Sequence, residues 1–196
     1  MIEMLIESVV VNPVTEQRML ILKARDQDRY LFLKIAHPEA YAIAIHLQEK
    51  SSHPPLTHDL MKNLVEEMGA NVIRVMISGL IDDIFTAQMV LDVASQEKTI
   101  DARAGDALAL AVRTNAPVFV AEQVLEQRGI DPEQDDDAEA SSSEQQKAER
   151  KQVRRHLELR EVLSLTNEVT MLKEQLAQVE EELRKAKARI AELEST

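Results

Sequence analysis

The chain has 196 residues, 44% of them hydrophobic and 3% aromatic, with no Trp and no Cys, and carries a net charge of −12. That is enough for one globular domain with an aliphatic core plus an appendage. It excludes disulfides, thiol catalysis and cysteine-held metal clusters, and the acidic balance argues against a protein that coats nucleic acid or an anionic membrane by charge alone.

Ile2 to Val11 and Arg18 to Ala24 are β-rich runs either side of the turn signal Asn12-Pro13. Tyr30 to Ile35 reads as a third strand, and Pro38 suits the first turn of a helix running to about Glu49. The stretch from Ser51 to Pro55, which includes His53, breaks the chain. Thr57 is placed to cap a second helix with apolar positions Leu60, Leu64, Val65 and Met68, ending at Gly69. Val72 to Ile77 and Ile84 to Val93 read as a strand pair joined across Gly79 and the turn Asp82-Asp83. Lys98 to Ala102 is a short strand, Asp106 to Arg113 a helix with Gly105 as its N-cap, and Pro117 to Val120 a last strand. Glu122 to Arg128 forms a closing helix stopped by Gly129. Strands and helices do not alternate regularly, so the expected fold is α+β, a largely antiparallel sheet with packed helices, followed by a long C-terminal coiled-coil helix.

Composition changes near residue 130, giving three expected parts: a domain over 1–130, an acidic disordered linker over 131–149 and a helix over 150–196. The linker, DPEQDDDAEASSSEQQKAE, holds eight acids and one Lys and has almost nothing to bury. All four Gly and all six Pro lie at or before Pro132, which leaves the last part free to form an unbroken helix. There, apolar residues recur at spacings of three and four: Val162, Leu165, Val169, Leu172, Leu176, Val179, Leu183, Ala186, Ile190 and Leu193. This is an a/d heptad series. In a parallel pair Glu168 meets Lys173, Glu182 meets Lys187 and Arg189 meets Glu194, with no like-charge pair, so homo-oligomerisation through 162–193 is expected. The plainer alternative is an amphipathic helix docked on its own domain. Arg150, Lys151, Arg154 and Arg155 at its start read as a solvated helix start or a contact with the acidic linker, with nucleic acid as the alternative partner.

The segment Asp101 to Arg113, DARAGDALALAVR, resembles the signature of the bifunctional nuclease domain family, which usually reads DARPSDAIALA. Pro55-Leu-Thr-His-Asp-Leu60 and its following helix match a second part of the family pattern. Ala104-Gly105 stands where the signature has Pro-Ser. The resemblance covers about residues 1–130 and implies hydrolysis of phosphodiester bonds in DNA or RNA.

Clustered carboxylates hold Mg²⁺ or Mn²⁺ in metal-assisted nucleases, and a guanidinium adds phosphate binding. Asp101, Arg103 and Asp106 are the right types at an expected strand-to-helix turn, with Asp101 and Asp106 as metal ligands and Arg103 on phosphate. In the structural alternative, Asp106 complements the helix dipole and Arg103 pairs with either Asp. His58 is a candidate general base or ligand beside Asp59, or else an exposed first-turn residue next to a dipole-favoring carboxylate. No P-loop, dinucleotide fingerprint or nucleophile elbow is present. With no signal-peptide pattern at the N-terminus and no apolar run near the ~18 residues of a membrane span, a cytoplasmic location and no membrane partner are expected. The rival to a nuclease is a non-catalytic protein- or ligand-binding scaffold whose coiled coil sets valency.

Overall fold

A computed structural model describes residues 1–12, 16–50, 54–131 and 144–194. The chain divides into two compact units, Met1–Ser143 and Glu144–Thr196. His53, most of the acidic stretch, and the side chains of Arg150, Glu182, Ala186, Lys187, Arg189, Ile190, Leu193 and Glu194 lie outside the described residues.

The first unit is built on eight strands: β1 (Ile2–Val11), β2 (Arg18–Ala24), β3 (Tyr30–Ile35), β4 (Ala70–Ile81), β5 (Ile84–Val93), β6 (Gln96–Arg103), β7 (Val118–Val120) and β8 (Gly129–Ile130). They form one curled sheet in the order β6-β5-β4-β7-β1-β2-β3-β8. Every pairing is antiparallel except β4 with β7. Two hairpins organise one half. Asp82-Asp83 joins Ile81 to Ile84 with φ of 47° and 62°, and Ala94-Ser95 joins Val93 to Gln96 with φ of 53° and 64°. Two successive left-handed residues in a two-residue loop make a turn whose twist matches that of the strands. Gly79 does not end its strand, as the sequence implied. It lies within β4, where the register with β5 shifts between Ile77 and Gly79, and the strand continues to the turn.

Four helices complete the unit: α1 (His37–Leu47), α2 (Thr57–Glu67), α3 (Ala104–Thr114) and α4 (Glu122–Arg128). Helix α3 is the centre of the core. Ala104 and every residue from Ala107 to Arg113 are buried, and α3 packs against α1, α2, β4 and β5. A helix enclosed on all sides must be apolar around its circumference, and its alanines let neighbours approach closely. Leu108 and Leu110 fill the space alongside Leu20, Leu22, Leu31, Leu33, Ile43 and Ile77. The helix begins earlier than expected, with Arg103 rather than Gly105 at the N-cap position. Asn115 closes it with φ 54°, as a left-handed C-cap.

On α2 the exposed and buried sides differ from the sequence reading. Leu60, Leu64 and Met68 are 54%, 52% and 80% exposed, while His58 is buried and Met61 packs on the core. Thr57 is the first helical residue and Leu56 the N-cap, so the expected Thr57 cap is not formed. Gly69, with φ 72°, ends the helix as expected.

The second unit contains α5 (Glu144–Glu194), a helix of 51 residues. Of its a/d residues, Val162, Leu165, Val169, Leu172, Leu176, Val179 and Leu183 are each about half exposed. Among the described residues, no helix is long and apolar enough to cross a membrane.

Candidate functional site

The first turn of α2 carries His58 and Asp59 side by side, and α3 carries Asp106 and Arg113 seven residues apart. Two turns of helix put Asp106 and Arg113 on one face. The packing of α2 on α3 joins the two pairs. His58 Nε2 lies 3.3 Å from Asp106 Oδ1, and Arg113 Nε donates to Asp59 Oδ1 at 2.5 Å. The other Asp59 oxygen accepts from the Leu56 backbone N–H at 2.8 Å, which satisfies one of the free donors at the start of α2. Arg113 also donates to the backbone carbonyls of Ala109 (2.8 Å) and Ala42 (3.1 Å), so one guanidinium ties α1, α2 and α3 together.

The pairs differ in access. The His58 side chain is 6% exposed and that of Asp106 38%. The Arg113 side chain is 3% exposed. Asp106 is therefore the member that meets solvent, with a buried imidazole behind it. His58 is not the exposed first-turn residue of the structural alternative.

Asp101 and Arg103 stand apart from this group. They flank Ala102, which packs on the core opposite buried Ala87, so strand alternation directs both to the other face of β6. Asp101 accepts from Gln88 Nε2 at 3.0 Å across the β5–β6 register. Among the described residues, no hydrogen bond or ion pair links Asp101 or Arg103 to His58 or Asp106, and no three His, Asp or Glu converge as metal ligands. Gly105 lies in the first turn of α3, where an added Cβ would come within 3.3 Å of Glu39 Cγ and 3.4 Å of Ile35 Cγ2. The signature's usual Ser at this position therefore faces α1 and the end of β3.

Sequence reasoning missed Arg113 and His46. Arg113 closes the motif itself, and the available signal was its seven-residue spacing from Asp106 in an otherwise apolar helix. His46, in the last turn of α1, lines an open groove of roughly 460 Å³ with Lys50, Asp59, Asn63 and Arg113. Burial holds its imidazole below the ordinary 6.5, and the Arg113 charge acts in the same direction.

A family model for the bifunctional nuclease domain matches residues 20–133, a span that contains all five candidate residues and both motifs. Two similar proteins come from Mycobacterium tuberculosis, one from strain CDC 1551 / Oshkosh and one from strain H37Rv; both are uncharacterized proteins. Each is 33% identical over 141 residues, which is 72% of this chain and 84% of the relative.

Proposed function

The chain belongs to the bifunctional nuclease domain family, and from that premise we propose that it hydrolyses phosphodiester bonds of DNA and RNA at a centre built on Asp106 and His58. The observation that carries this reading is the 3.3 Å contact between them, which joins the two separated family motifs through one exposed carboxylate. Asp106 takes a proton from the attacking water as the water oxygen bonds to phosphorus, the bridging P–O bond breaks, and the leaving sugar oxygen takes up a proton from solvent while Asp106 returns its own to solvent. His58 is a positioning residue: too buried to reach a phosphodiester, it holds the carboxylate in one orientation. The first turn of α3 adds a positive dipole end that favours a phosphate nearby.

The donor chemistry of Asp106 fits Mg²⁺ or Mn²⁺, hard ions commonly bound by one or two carboxylates with water and substrate oxygens completing the shell. Such an ion supplies activation of water and neutralisation of phosphate charge. Asp101 lies on the other face of β6 and is not its second ligand in this reading. The test is cleavage of single- and double-stranded DNA and RNA by the purified chain, with and without chelator. Asp106→Asn is expected to lower the rate at least about tenfold, equivalent to ~1.4 kcal/mol, with the fold retained by circular dichroism. Asp101→Asn and Arg103→Ala are expected to change it less than about threefold. A folded Asp106→Asn protein at full activity would remove Asp106 from the reaction.

A second reading is a non-catalytic scaffold. It is favoured by the fact that His58, Asp59, Asp101 and Asp106 all have partners within the domain. In both readings α5 pairs with a second copy as a parallel coiled coil. Oligomeric protein that cleaves neither nucleic acid under any metal condition selects the scaffold.

A further inference from the structure

Strand β6 ends the sheet, and among the described residues no strand pairs with its outer side. Seven of its eight residues are exposed. Its register with β5 runs from Val93↔Gln96 to Thr86↔Arg103 without a shift. A two-residue hairpin closes on a hydrogen-bonded pair, here Val93 with Gln96. Counting along the strand, Gln96, Lys98, Ile100 and Ala102 turn their backbone N–H and C=O toward β5. Glu97, Thr99, Asp101 and Arg103 turn theirs outward. The Arg103 carbonyl, at the N-cap of α3, is taken by the first turn of that helix; among the described residues no turn, loop or cap bond meets the rest of this outward row.

Such an edge is a template for another strand, and charges on it usually serve to repel one. Here the charges are self-complementary. We propose that β6 pairs antiparallel with β6 of a second copy of this chain, about a two-fold axis through Ile100. A two-fold axis perpendicular to the sheet sets a residue opposite itself and keeps the faces continuous. An axis at Thr99 sets Glu97 against Asp101 of the second copy, twice. An axis at Asp101 sets two Asp101 carboxylates against each other. The axis at Ile100 sets Glu97 opposite Arg103 and Thr99 opposite Asp101, each twice, with no like charges. Thr99 and Asp101 then exchange both backbone bonds with their partners, and the Arg103 N–H donates to the Glu97 carbonyl of the second copy. Glu97, which already accepts from Arg74 at 2.7 Å, lies between two arginines. Ile100, 45% exposed, covers its own copy.

This contact is separate from the association of α5 and does not rest on the nuclease reading. The natural absence of cysteine permits a register-specific test in the full chain. Leu172→Asp and Leu183→Asp are included to remove pairing through α5. At Ile100 the two copies form a non-hydrogen-bonded pair, with Cα atoms roughly 4.5 Å apart, inside the disulfide range. Cysteine at Thr99 faces Asp101 of the second copy and is displaced from its own equivalent. Under mild oxidation, Ile100→Cys is expected to form a covalent dimer at least about tenfold faster than Thr99→Cys. Adding Glu97→Lys, which opposes Arg103 with a like charge, is expected to slow Ile100→Cys by a similar factor. Equal rates at the two positions, or no covalent dimer from Ile100→Cys, overturn the proposal.

Discussion

Arg113 is a buried cation whose charge is answered by one carboxylate, Asp59, and two backbone carbonyls. Removing the carboxylate alone leaves an ion in a place that solvates it poorly, which costs about 3–5 kcal/mol, whereas replacing both partners by apolar groups is often near neutral. Asp59→Ala is therefore expected to lower unfolding free energy by about 3 kcal/mol, and Asp59→Ala with Arg113→Met to recover at least about half of that. Urea unfolding of the variants measures both, and additive losses would show that the two side chains do not act as a unit. His46 sets a pH dependence. Its folded pKa lies below 6.5 because burial and then Arg113 disfavour the imidazolium, against the opposing pull of Asp59. The unfolded chain binds the proton first, so this contribution is fully present above about pH 6.5 and is lost as pH falls through the folded value. His46→Gln is expected to flatten the decline in stability as pH falls below about 6.5, and an unchanged slope would assign the decline to other groups. The sequence identified His58, Asp59 and Asp106 by residue type and motif. It could not pair them, because they are 48 and 54 positions from the partners that hold them. It placed Asp101 beside Asp106 because both border one strand-to-helix junction, and strand alternation then divides them.

The three N-terminal strands are read from sequence with their observed bounds, because long β-branched and aliphatic runs end at turn residues. Helix α2 is the instructive failure. Leu60, Leu64 and Met68 recur every fourth residue and look like a core face, yet they are exposed. The inward side is set by the polar anchors at His58 and Asp59, together with Met61, and hydrophobic spacing does not register an ion pair. The Ala94-Ser95 turn was invisible for a related reason. Neither residue favours a left-handed backbone, yet both adopt it because the β5–β6 ladder closes on them. Left-handed geometry costs an ordinary L residue roughly 1–2 kcal/mol, and Asn-Gly is the pair that this turn type prefers. Ala94→Asn with Ser95→Gly is expected to raise unfolding free energy by about 1–2 kcal/mol, read by urea denaturation. No gain would mean that the turn relaxes to another geometry in solution.

At the scale of the whole molecule, the second unit poses the largest unanswered burial. Helix α5 has no Gly or Pro over 51 residues, which at 1.5 Å per residue is about 76 Å of continuous rod. Seven of its a/d residues from Val162 to Leu183 are 48–60% exposed. A stripe at spacings of three and four is narrower than the face a helix needs to dock on a globular core, and it matches the seam of a two-stranded coil. The β-branched Val162 and Val169 at a, with Leu165 and Leu172 at d, favour two strands. Each leucine buried there contributes about 1.5–3 kcal/mol before the entropy of association is subtracted. Leu172 and Leu183 occupy a d and an a layer, so a carboxylate at each puts like charges face to face in the middle of the seam. Leu172→Asp with Leu183→Asp in the full chain is expected to abolish association through α5 and to lower helicity by circular dichroism, while the unfolding midpoint of the first unit stays unchanged. Sedimentation equilibrium separates this contact from the sheet edge. Either this double change or Ile100→Lys alone leaves a dimer, and the combination leaves a monomer. If the unmodified chain is already monomeric at tens of micromolar, the stripe on α5 must be buried within one chain, and its exposed leucines are then the surface to map.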